Sequence, residues 1–234
     1  VIKLVMAYDG TDFAGWQLQP RQRTVQGVVE EALAKVFRRP VRCHGAGRTD
    51  AGVHAAGQVA HFETEIDIPS HALVRALNSL LPADVQVLAA EDAPPHFHAR
   101  RSAVARRYRY TITYEDSVFT RRYAWHVAPP LDAAAMAAAA RVFVGEQDFA
   151  TFGNAGDDCP STVRRVSAVE VADGGQGLTI EVEANAFLYR MVRNMVTTLV
   201  RAGRGEIGEA DVKALLETRS RAALGPRTGH AVWG

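Results

Sequence analysis

The order of apolar and polar positions divides the first hundred residues into alternating strands and helices. Ile2 to Tyr8 alternates loosely and predicts a strand, closed by the loop Asp9-Gly10-Thr11-Asp12. The period then changes. Val25, Val28, Val29, Leu33, Val36 and Phe37 fall on one face of a helix, and Thr24 stands where an N-cap is wanted. A short strand over Pro40 to Cys43 leads into a glycine-rich segment, and Gln58 to Glu63 reads as the next strand. Ser70 opens a second helix through Leu73, Leu77 and Leu80, and Asp84 to Ala90 predicts another strand.

The second half repeats this rhythm. Arg107, Arg109, Thr111 and Thr113 alternate with Tyr108, Tyr110, Ile112 and Tyr114, a period-2 strand with one polar face. Leu131-Asp132 opens an alanine-rich helix to about Val144. Arg164 to Val171 and Leu178 to Asn185 flank Asp173-Gly174-Gly175-Gln176-Gly177, a hairpin signal. Helices are predicted over Phe187 to Ala202 and Glu209 to Arg219. This mixture implies an α+β fold with helices packed on a largely antiparallel sheet. The boundary falls between Ala99 and Ala105, after the Pro94-Pro95 turn, giving lobes 1–104 and 105–234 that share one sheet.

Composition narrows the class. With 234 residues, 47% of them hydrophobic, the chain can form a core without covalent staples. Two widely separated cysteines, Cys43 and Cys159, argue against a disulfide framework and suit a reducing cytosol. There is no 18-residue apolar run, and Val1-Ile2-Lys3-Leu4 reads as a strand and not as a signal peptide, so a cytoplasmic protein away from membranes is expected. A net charge of +1 excludes a uniformly basic surface, yet arginine is concentrated locally. Arg100, Arg101, Arg106, Arg107, Arg109, Arg121 and Arg122 are interleaved with Phe97, Tyr108, Tyr110, Tyr114, Phe119, Tyr123 and Trp125. Guanidinium forks suit phosphate and aromatic faces suit unpaired bases, although a charged strand over an ordinary aromatic core has the same composition.

Gly45-Ala46-Gly47-Arg48-Thr49-Asp50-Ala51-Gly52 is the densest chemical signal. Asp50 stands where a dinucleotide fingerprint needs its third glycine, and Val53 replaces the lysine of a P-loop. What remains is an acid in a tight loop with Arg48 two positions before it, which favours an ionised carboxylate able to attack carbon. Spacing alone favours a capping or Asx-turn aspartate over a nucleophile.

The segment GAGRTDAGVHAAGQVAHF, Gly45 to Phe62, resembles the signature of the bacterial tRNA pseudouridine synthase A family. The resemblance continues in order through AYDGTDFAGWQLQ (Ala7 to Gln19), TVQ (Thr24 to Gln26), FHAR (Phe97 to Arg100), ARRYRY (Ala105 to Tyr110), and NAF followed by MVRN (Asn185 to Asn194). It implies two similar ferredoxin- or RRM-like halves sharing a mostly antiparallel mixed sheet, with the active-site cleft between them. It also implies isomerisation of uridine to pseudouridine at positions 38, 39 and 40 of the tRNA anticodon stem-loop, by a homodimer that needs neither cofactor nor metal. Asp50 then takes the place of the nucleophile. Tyr108 packs on the target base, Arg193 pairs with the catalytic carboxylate, and Arg48 helps hold the flipped nucleotide. Phe97, His98, Ala99, Arg100 and Arg101 correspond to a tRNA-contacting stretch, and the region around Cys159 to Val163 to a looser second contact. The chain departs from the family pattern at its end, where Gly225 to Gly234 is less apolar than the usual last strand.

Other features stay open at this level. Arg190, Arg193, Thr197, Arg201 and Arg204 recur near helical spacing, as a solvated face or a phosphate track would. Among eight histidines only His96 and His98 are close in sequence, without HExxH spacing, so no metal site is expected. A non-catalytic RNA-binding protein has the same basic and aromatic surface. A small-substrate hydrolase would need a second carboxylate, for which Asp12, Glu63 and Asp148 are candidates.

Overall fold

The structure is a computed structural model of the chain, and it describes residues 1–128, 131–153 and 161–224. Expectations for Cys159 and for the last strand, within 225–234, lie outside the described residues. The chain divides into two compact units, the second beginning at Ala105. The architecture is α+β, and its sheets are antiparallel apart from one pairing.

In the first unit, β1 (Ile2–Tyr8) lies at the centre of a sheet ordered β2-β3-β1-β4, with β2 at His44–Gly45, β3 at Ala55–Phe62 and β4 at Val85–Asp92. All three pairings are antiparallel. Leu4, Met6 and Tyr8 alternate onto the face that packs on α1 (Val25–Phe37) and α2 (Ser70–Leu80), closing a core with Val29, Leu33, Phe62, Leu73 and Leu77. Thr24 caps α1 as its position predicts, accepting from the Gly27 N–H at 3.2 Å. Ser70 is the first helical residue, and Pro69 takes the cap position in its place.

Pro40 to Cys43 is not a strand. Side chains of α1 occupy the backbone groups that a ladder would use: the Cys43 N–H donates to Glu30 Oε1 at 2.9 Å, and Gln26 Nε2 donates to the Cys43 carbonyl at 3.0 Å. Cys43 itself is fully buried.

The second unit holds a sheet ordered β6-β5-β9-β8-β7, from β5 (Arg106–Thr113), β6 (Trp125–His126), β7 (Gly145–Asp148), β8 (Val163–Asp173) and β9 (Gly177–Ala184). Among the described residues only β5 and β6 run parallel. The glycine-rich hairpin closes β8 onto β9, with Gly175 in the left-handed region at φ 78°. The ladders thus form two sheets, one within each unit, where the sequence pattern suggested a single shared one. After β4 the chain enters turns, with Phe97 N–H on the Pro94 carbonyl and Ser102 N–H on that of His98, so it does not continue as a hairpin strand.

Three helices accompany the second sheet: α3 (Ala133–Arg141), capped by Asp132, α4 (Met191–Gly203) and α5 (Glu209–Thr218). The start predicted at Phe187 moves to Met191, because Arg190 adopts φ 61° and a left-handed residue cannot continue a right-handed helix. No helix among the described residues is long and apolar enough to cross a membrane.

Candidate active site

Asp50 stands on the loop between β2 and β3, and several anchors of that loop come from the first unit's sheet and from the segment after β1. The Trp16 N–H donates to the Thr49 carbonyl at 3.0 Å, and the Gly52 N–H to the Phe13 carbonyl at 3.3 Å. The Val53 N–H closes the turn on the Asp50 carbonyl at 3.1 Å. Below the loop lies a buried polar group. Tyr8 Oη and Thr49 Oγ1 are 2.8 Å apart, Gln58 Nε2 donates to the Gly47 carbonyl at 2.9 Å, and the Gly47 N–H donates back to Gln58 Oε1 at 3.3 Å. Buried polar groups satisfied in this way fix one loop conformation, since each alternative leaves a donor or acceptor without water.

Glycine is required where chain meets chain. A Cβ on Gly10 would sit 2.0 Å from the Val53 carbonyl oxygen, and one on Gly45 would sit 2.5 Å from the Trp16 ring. The fully buried His54 completes the junction: its Nδ1 accepts from the Gly10 N–H at 3.1 Å and lies 3.0 Å from the Asp9 carboxylate. Asp50 is half-buried and Arg48, on the same loop, is exposed.

In the second unit, Tyr108 lies on β5 opposite Val182, and its ring meets Phe187 edge-on at 5.0 Å between centroids. Arg193 is the third residue of α4 and is half-buried. It reaches the neighbourhood of Tyr110, whose hydroxyl burial pushes up to about 12 while the guanidinium draws it back. Tyr108 and Tyr110 thus share the strand face on which Arg193 acts. Beside them the Asn194 amide donates to the Phe152 carbonyl, which ties the first turn of α4 to the Phe143, Phe149 and Phe152 cluster.

Two basic features resolve into internal pairs. Arg107 and Arg109 stand directly across from Glu183 and Glu181 on β9, with nitrogen–oxygen distances of 2.7 and 2.6 Å. Arg107 first, then Ser167, holds the Glu183 carboxyl below its ordinary value. Arg201 on α4 and Arg204 at its C-cap both turn to Glu206, at 3.3 and 3.8 Å. Glu206 thus offsets one of the two charges in that part of the helical stripe.

Asp148, one of the candidate second carboxylates, is committed to structure. It accepts from Thr162 Oγ1 at 2.5 Å and from the Ala150 N–H at 3.0 Å, and Arg219 Nε lies 3.1 Å away. The Thr162 hydrogen bond leads in holding its carboxyl below the usual range. Asp12 and Glu63 are exposed. Among the described residues, no group of three or more His, Cys, Asp or Glu is placed to hold a metal ion.

A family model described as tRNA pseudouridine synthase matches residues 4–100 and 139–232, which include Arg48, Asp50 and Arg193. The chain belongs to the tRNA pseudouridine synthase family. It is by that membership an isomerase. Proteins named tRNA pseudouridine synthase A are similar to it over nearly their whole lengths. That of Geobacter sulfurreducens is 47% identical over 96% of this chain and 93% of its own. That of Maridesulfovibrio salexigens is 47% identical over 98% and 86%, and that of Bacillus pumilus 44% identical over 99% and 97%. Tyr108 lies between the two matched segments.

Sequence reasoning missed the supports of the loop, namely Tyr8, Gln58, His54 and Trp16. The signal was faint but present: a tyrosine and a glutamine at apolar-face positions of two predicted strands ask for a buried polar partner.

Proposed function

We propose that the chain converts uridine to pseudouridine at positions 38, 39 and 40 of the tRNA anticodon stem-loop, as a cytoplasmic homodimer without a cofactor. Asp50 serves as nucleophile. Tyr108 packs against the target base, Arg193 pairs with the catalytic carboxylate, and Arg48 helps hold the flipped nucleotide. Phe97, His98, Ala99, Arg100 and Arg101 contact the RNA. The observation that carries this reading is the family match across Asp50 and Arg193, with Asp50 on a loop whose backbone and buried polar contacts leave it one conformation.

The chemistry balances without an external reagent. The bond from uracil N1 to ribose C1′ breaks, a bond from C5 to C1′ forms, C5 loses a proton and N1 gains one. Attack by Asp50 on C1′, attack on C6, and a glycal route all satisfy this balance. The target uridine must leave its stack, at roughly a few kcal/mol, and arginine contacts to phosphate offset that cost.

Full-length tRNA transcript labelled with tritium at uridine C5 tests the reading. Release of tritium to water from positions 38 to 40 is the expected result. Release from other positions would move the substrate assignment, and no release by folded protein would remove the catalytic one.

The matched pairs on β5 and β9 make a further prediction. Replacing Glu181 and Glu183 together by glutamine frees Arg107 and Arg109 for phosphate. The slope of log Kd against log salt for tRNA should then steepen by about one to two. An unchanged slope would place that strand face away from the RNA.

A further inference from the structure

The turn that follows β4 is held by two imidazoles. The Ala99 N–H donates to His61 Nδ1 and the Arg100 N–H to His98 Nδ1, each at 3.2 Å. The His98 N–H in turn donates to Ser102 Oγ at 3.0 Å, and the Ser102 N–H to the His98 carbonyl at 2.8 Å. Phe97 meets the His61 ring edge-on at 5.9 Å. Together these contacts seat residues 97–102 over the sheet face opposite the helices. Ala99 is buried, while Arg100 and Arg101 remain exposed.

A third ring completes the group. His44 lies across β2–β3 from His61, with centroids 5.2 Å apart, and the His98 ring lies 4.6 Å from that of His61 and 5.7 Å from that of His44. The same cross-strand row continues through Lys3 to Glu91, which pair with each other at 3.3 Å. Glu63 draws His61 toward protonation, and Arg100 and Arg101 oppose it at His98. The surroundings of the rings are therefore mostly cationic or histidine.

An imidazolium nitrogen carries a proton and cannot accept an N–H. We propose that His61 and His98 are positioning residues, whose Nδ1 atoms hold residues 97–102 in register as acceptors, and that protonation of either ring opens this turn. The consequence for RNA rests on the contact role given above to Phe97–Arg101. Burial first, then His98 and His44, keeps His61 below the ordinary histidine value of 6.5. Burial first, then Arg101, His44 and Arg100, does the same for His98. Below 6.5 the opened segment takes up protons that the closed turn refuses. The turn is therefore most stable above that value and loses stability as pH falls through it toward the lower values of the folded state.

Amide exchange of the full chain, read by NMR and corrected for intrinsic rates, tests this between pH about 7.5 and about 5.5. Protection at Ala99 and Arg100 should fall by about ten-fold or more while that of β1 is kept. The Nδ1 atoms of His61 and His98 should give the nitrogen shift of an unprotonated acceptor at the higher pH. His61→Asn and His98→Asn each offer an amide oxygen near the Nδ1 position and take up no proton, so protection should become independent of pH when both are made together. Either alone leaves the titration of the remaining ring. If the double variant fails to fold, either single variant and the wild-type titration still decide, since protection in a single variant should follow only the ring that remains. Protonated Nδ1 atoms at the higher pH, or wild-type protection that ignores pH, would overturn the proposal. In tRNA turnover KM should rise at low pH in the wild type and not in the double variant. Protection that follows pH with an unchanged KM would uphold the latch and remove Phe97–Arg101 from the RNA contact.

Discussion

The Asp50→Asn variant should bind tRNA with near wild-type affinity and lose turnover by a factor on the order of 10⁴. The substitution keeps shape and volume while removing the charge that makes the side chain a nucleophile. Folding should be preserved, because Asn matches Asp in shape and the loop is also held elsewhere: Thr49 and Gly52 through backbone atoms, and Gly47 through Gln58. Tritium release from C5-labelled tRNA measures turnover, and filter binding at fixed salt measures affinity. A variant that isomerises uridine at the wild-type rate would take the nucleophile's role from Asp50. A wild-type protein that binds tRNA but never releases tritium would leave a non-catalytic RNA-binding protein, which the same pair of measurements detects.

Gly10→Ala should be the most damaging single methyl group in the first unit. Its Cβ would lie 2.0 Å from the Val53 carbonyl oxygen and 3.1 Å from the His54 nitrogen, both backbone atoms that cannot rotate away. Relief requires the segment after β1 to part from the loop, which breaks the Gly10 contact with His54 and strains the Gly52 bond to Phe13. A loss of about 3–5 kcal/mol is expected, at the upper end for one substitution. Urea titration followed by far-UV dichroism reads it as a lowered midpoint. Ala in place of Gly57, where an added Cβ meets nothing within 4 Å, is the control for glycine replacement as such. Equal midpoints for the two variants would mean that the junction yields more easily than its geometry implies.

What could be read in advance was what neighbouring residues decide. Thr24 as a cap and the glycine-rich closure of β8 onto β9 depend on a few consecutive residues, and both were legible. Pro40 to Cys43 was misread because Gln26 and Glu30, more than a helical turn away in the chain, take its backbone groups. The start of α4 was misread because the left-handed angle at Arg190 has no signature in an arginine. The basic face of β5 looked open because the glutamates that match it stand over seventy residues later. At the loop, periodicity and spacing left Asp50 as either a turn residue or a nucleophile, and only the resemblance separated the two. The buried group beneath it, joining Tyr8, Thr49 and Gln58, depends on strand register, which no local pattern fixes.

The pairing of β5 arginines with β9 glutamates also bears on how this protein moves among nucleic acids. A surface of unmatched arginines would adhere to any polyanion, and transfer RNA is a minority of the RNA in a cell. With Arg107 and Arg109 each facing its own carboxylate, and a net charge of +1 on the whole chain, that face offers little to a chance encounter. Brief residence on the wrong molecules keeps the enzyme available for the right one. On this view the glutamates of β9 should shorten the time spent on the wrong RNA.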